Sequence, residues 1–85
     1  MSTLTVIMKD IAASLYHCPA TFEELLERNF LENYSSVGID SLLGKMQKVS
    51  WIYEKEDRFY TFPEFAASKE MEGYDLIKDS VPPSL

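Results

Sequence analysis

Between residues 4 and 15 the apolar side chains fall at Leu4, Ile7, Met8, Ile11, Ala12 and Leu15. This is the i, i+3, i+4, i+7 recurrence of a helix with one broad buried face. Ser2 or Thr3 can cap its start, and Pro19 ends it, because a residue that precedes proline is pushed out of the helical region. Thr21 and Glu24 form a capping box, in which the threonine hydroxyl accepts from one orphan amide and the glutamate reaches back to another. A second helix is therefore expected from Thr21, with Phe22, Leu25, Leu26 and Phe30 inward. Glu23, Glu24 and Glu27 lie outside it, where carboxylates suit the positive end of the helix dipole.

The period is lost over residues 29–36, and Asn33, Ser35 and Ser36 suit a turn that ends in an N-cap. A third helix begins near Val37. Ile39, Leu42, Leu43 and Met46 form its inward stripe, with Val49 one turn further, while Gly38, Ser41, Gly44, Lys45 and Lys48 lie opposite. The two glycines cost the helix roughly 1 kcal/mol each relative to alanine. Either close approach of a partner backbone or a DNA sugar-phosphate strand, or tight packing against the second helix, must offset them.

Residues 51–54 and 58–62 are rich in aromatic and β-branched side chains and flank Lys55, Glu56 and Asp57. They read as a β-hairpin. With no glycine in the loop, a four- or five-residue connection built on a type I turn is expected. Ile52 falls on one face and Trp51 and Tyr53 on the other; one set should close the core and the other meet the C-terminal segment. After Pro63 a weaker period spans residues 64–78 and is interrupted by Gly73, which predicts one helix with a break at the glycine. Pro82 and Pro83 preclude a helix at the end, so residues 1–79 are expected to form a single domain and residues 80–85 a flexible tail.

Composition narrows the class. Eighty-five residues suffice for one domain, which can bury only about two thirds of its unfolded surface. Hydrophobic residues at 46% supply a core, so an ordered α+β domain is expected rather than a disordered chain. The single Cys18 has only the adjacent His17 near it in sequence, which excludes an intrachain disulfide and a four-ligand metal site and suits a reducing, cytoplasmic setting. The first ten residues lack the basic region of a signal peptide, and no apolar run approaches the roughly 20 residues that span a bilayer. Neither a membrane nor a cofactor is expected.

Net charge is −6. Residues 21–34, with four glutamates against Arg28, stand at −3, and residues 63–85 stand at −3 as well. Residues 35–49 carry Asp40, Lys45 and Lys48 and form the one net-positive segment. Catalysis is not expected: adjacent His17 and Cys18 on a helix point about 100° apart and cannot serve as base and nucleophile. Both are better placed at the end of the first helix, the histidine on its dipole and the cysteine as a small hydrophobe.

The run T-F-E-E-L-L, the segment I-D-S-L-L-G-K-M-Q-K and the stretch V-S-W-I-Y-E-K-E-D-R-F-Y-T-F, in that order, resemble helix 2, the recognition helix and the wing of the winged helix-turn-helix superfamily. The resemblance covers residues 3–62 and rests on element order and hydrophobic spacing. It implies a three-helix core followed by a two-stranded wing and a C-terminal helix. It also implies a third helix in the DNA major groove, with Ser41, Lys45 and Lys48 facing bases, Ser36 on a phosphate, and Lys55 and Arg58 at the wing. Asp40, Glu54, Glu56 and Asp57 depart from the basic surface usual in that family. Two readings follow. One is a small transcriptional regulator that binds double-stranded DNA as a homodimer, since one module with four basic side chains gives too little affinity. The alternative is an acidic protein-interaction module, an adaptor or inhibitor that docks on a basic partner protein.

Overall fold

In the computed structural model, which describes residues 3–73, the first periodic stretch forms helix α1, Thr3–His17. A two-residue strand β1, Ala20–Thr21, leads into α2, Phe22–Leu26, and a 3₁₀ turn, Asn29–Leu31. Helix α3, Ser36–Lys48, is followed by strands β2, Ile52–Lys55, and β3, Arg58–Thr61. Helix α4, Pro63–Ala66, and a 3₁₀ turn, Lys69–Met71, complete the described chain. Among the described residues the fold is α+β: four α-helices and a three-stranded antiparallel sheet in the order β1-β3-β2, compatible with a winged-helix-like layout. No helix among the described residues is long and apolar enough to cross a membrane.

The core lies between the helices and one face of the sheet. Ile11, Ala12 and Leu15 of α1 and Ile39, Leu42, Leu43 and Met46 of α3 are buried, as their spacing predicts. Ile52 and Phe59 close the layer from the hairpin, and Thr61, buried beside them, donates its hydroxyl to the Ala12 carbonyl at 2.6 Å. That bond ties β3 to the middle of α1 and leaves no buried hydroxyl unsatisfied there.

The chain departs from the expected elements at six places. Strand β1 is not foreseen, because two residues carry no periodicity; pairing of Ala20 with Phe59 and Thr21 with Arg58 creates it. Helix α2 stops at Leu26 rather than running on to Phe30. Arg28 is extended there (φ −74°, ψ 137°), and its guanidinium donates to the Ser14 hydroxyl and, at 2.6 Å, to the Cys18 carbonyl at the C-terminal end of α1. The rotation that follows buries Leu31 and leaves Phe30 40% exposed.

At the end of α3, Val49 is 55% exposed instead of inward. Ser50 adopts φ +64°, the Ser50 amide donates to the Gln47 carbonyl at 3.1 Å, and the Trp51 amide donates to the Met46 carbonyl at 2.9 Å. This is a Schellman stop, which reverses the chain and sets Trp51 back over the end of the helix. Trp51 then stacks on Phe65 of α4 (centroids 4.3 Å, 18°), whereas Tyr53 joins a row with Tyr60 and Phe62 on the outer sheet face.

The hairpin loop is shorter than expected. Lys55 pairs with Arg58, so only Glu56 and Asp57 turn the chain, both with positive φ (53° and 67°). That is the primed two-residue geometry whose twist matches the strands, adopted here without glycine. The C-terminal expectation is also corrected. Within the described residues α4 and the 3₁₀ turn replace one continuous helix, while residues 74–78 of that expectation and the tail 80–85 lie outside them. Cys18, expected to pack as a small hydrophobe, is exposed.

Candidate functional site

Helix α3 is held by a serine cap. The Ser35 hydroxyl accepts from the Gly38 amide at 3.0 Å, and a Cβ on Gly38 would stand 3.2 Å from that oxygen. The first glycine thus accommodates the cap. Gly44 has no such role: a Cβ there would meet nothing within 4 Å. Neither glycine is explained by packing against α2.

The exposed surface of α3 divides into two stripes. Ser41, Lys45 and Lys48, at i, i+4 and i+7, form one, and all three are exposed. Ser36, the first residue of the helix, is exposed beyond them. Asp40, Gly44 and Gln47, again at i, i+4 and i+7, form the second stripe and turn toward the hairpin. Across from it Glu54 stands on the Ile52 face of β2, directly opposite Phe59 in the register, and is exposed.

Between these elements lies an open groove of about 460 Å³. Phe22, Leu43 and Phe59 form its apolar base. Asp40, Gln47 and Glu54 form its rim, with Gly44 between them, so among the described residues the lining holds two carboxylates and no cation. Among the described residues neither carboxylate is in an ion pair.

Of the two hairpin cations, Arg58 is already engaged. Arg58 donates to Glu24 at 3.0 Å and lies 3.5 Å from the Pro19 carbonyl, so it fastens β3 to the start of α2. Lys55 stands at the hairpin end beside Glu56 and Asp57. Lys45, Lys48 and Lys55 have no ion-pair partner among the described residues. The lysine stripe follows from spacing along the helix, whereas the neighbouring groove does not. The spacing of Asp40, Gly44 and Gln47 was available in the sequence; their meeting with Phe22 and Glu54 depends on tertiary structure.

Glu24 serves both as capping-box acceptor, taking the Thr21 amide at 3.0 Å, and as partner of Arg58. The Thr21 amide, chiefly, holds its carboxyl below the ordinary value of 4.5; desolvation opposes it, and the charge and hydrogen bond of Arg58 add smaller lowering effects. A carboxyl with a lowered folded value stabilises the fold fully above its unfolded value and loses that contribution as pH falls through the folded one. Thermal stability should therefore decline below pH 4.5, and Glu24→Gln, which keeps a capping side chain but cannot titrate, should show a shallower decline. Parallel melts from pH 7 to pH 3, as an order-of-magnitude window around the carboxylate range, decide this; identical slopes would refute it. No protein-family model, curated protein or solved structure matches the chain.

Proposed function

We propose that this chain is a small winged-helix-like module that works by binding another protein through its acidic surface, as an adaptor or inhibitor, and not by reading DNA. The observation that carries the reading is the position of Asp40 and Glu54. They line the space between α3 and the hairpin, the two elements that a phosphate backbone would have to bridge. Phosphate affinity comes largely from lysine and arginine releasing condensed counterions. Here Arg58 is engaged by Glu24, and the overall charge of −6 repels a polyanion. Binding and orientation, rather than chemistry on a substrate, are what such a surface offers.

One observation favours the DNA reading: Ser41, Lys45 and Lys48 share an exposed stripe of α3. Fluorescence anisotropy with a labelled mixed-sequence duplex separates the two. At about 50 mM salt and protein up to roughly 100 μM, the upper end of non-specific affinities, no rise in anisotropy is expected. A salt-sensitive rise abolished by Lys45→Ala with Lys48→Ala would overturn the proposal in favour of DNA. In host extract, zero-length carbodiimide coupling should join carboxylates of this chain to lysines of a protein partner.

A further inference from the structure

We infer that the groove between α3 and the hairpin docks an arginine-bearing, amphipathic peptide segment of the partner protein, its guanidinium held between Asp40 and Glu54 and an apolar neighbour against Phe22 and Phe59. The inference rests on the protein-interaction reading and specifies where and by what chemistry the partner is held. At about 460 Å³ the groove falls within the size of binding clefts, about 300–1,000 Å³. Its apolar base and carboxylate rim complement one kind of side chain in particular. A guanidinium is planar, weakly hydrated, able to bond carboxylates in a fork and able to lie on an aromatic face.

Charge complementarity is local rather than diffuse. Asp40 and Glu54, themselves exposed, line a groove with an apolar base, beside which an opposite charge is attracted more strongly than in open water. Lys45 and Lys48 lie on the adjoining stripe of the same helix. A partner must therefore place its cation over the groove and keep it off the lysines, which fixes one orientation.

Gly44 gives the second, independent observation. An exposed glycine within a helix lowers stability by roughly 1 kcal/mol relative to alanine. Nothing in the described fold requires it, since a Cβ would stand in open space. What its missing side chain does is keep the groove open between Asp40 and Gln47. A leucine there would project into the space the peptide occupies.

The test is a titration of the full ¹⁵N-labelled chain with a short blocked peptide of alternating arginine and leucine, and with its glutamate-for-arginine counterpart. The arginine peptide should shift the amides of Asp40, Gly44, Gln47 and Glu54 to saturation, and the glutamate peptide should not. Gly44→Leu, and separately Asp40→Lys with Glu54→Lys, should each weaken binding about tenfold, the equivalent of losing two partly exposed charge pairs or the apolar contact. The amide spectrum of each variant reports whether it is folded, and the charge reversal carries the test should the leucine variant unfold. Shifts confined to Glu23 and Glu27 of α2, with a silent groove, would overturn the inference and leave the protein-interaction reading standing. Absence of any saturable shift would also overturn it. A duplex that shifts Ser41, Lys45 and Lys48 instead would remove the underlying reading as well.

Discussion

Ile39→Ala should lower the unfolding free energy by about 3–4 kcal/mol, a large part of the roughly 4–13 kcal/mol that a domain of this length holds. Ile39 is fully buried in the inward stripe of α3, which packs on α1, α2 and β2. Truncating it removes the transfer free energy of three carbons and leaves a cavity that neighbouring Leu42, Leu43 and Met46 can fill only in part. Val37→Ala, two residues earlier on the same helix but 79% exposed, should cost less than about 0.5 kcal/mol. Urea denaturation of both variants reads the difference as a shift in midpoint at constant slope. Equal losses at the two positions would mean that α3 presents a different face to the core, and with it that the two exposed stripes are wrongly assigned.

That orientation was legible in the amino-acid pattern because a thirteen-residue helix offers several repeats of the same signal. The same holds for α1 and for the strands of the hairpin. The capping box was legible for a different reason: Thr21 and Glu24 satisfy each other's orphan groups within one turn, so no distant partner is needed. What escaped the sequence is what distant partners create. Ala20 and Thr21 become a strand only through Phe59 and Arg58, and α2 ends early because Arg28 binds the end of α1.

The candidate site follows the same division. The stripe of Ser41, Lys45 and Lys48 belongs to one helix and could be read from spacing alone. Asp40 and Glu54 could be seen as departures from a basic surface. That they line one groove follows from the register of β2 on β3, which brings Glu54 opposite Phe59, and from the packing of that hairpin on α3. The electrostatic consequence is large for so small a change of viewpoint. Counted along the chain, residues 35–49 are net positive; in space, the carboxylate of Asp40 belongs with Glu54 in the groove, and the lysines stand on the other stripe.

The hairpin is flanked by three residues whose backbone is in a region that favours glycine: Ser50 at its entry, and Glu56 and Asp57 at its tip, with φ of 64°, 53° and 67°. A non-glycine residue there brings its Cβ close to the following carbonyl, at roughly 1–2 kcal/mol each, less for Asp and Asn. Glycine relieves the clash but gives back part of the gain as unfolded-state entropy, so the net benefit is about 0.5–1 kcal/mol per site. Ser50→Gly combined with Glu56→Asn and Asp57→Gly, the pair that primed two-residue turns prefer, should stabilise the fold by roughly 2 kcal/mol and raise Tm by about 10 °C. The variant also removes both carboxylates of the loop, taking the net charge from −6 to −4. If the hairpin contacted phosphate, duplex affinity would rise with stability; if the chain binds protein through the groove, the melt moves and DNA remains unbound. Calorimetry and duplex anisotropy on the same sample separate the effects, and an unchanged Tm would mean that the loop relaxes out of the primed geometry in solution.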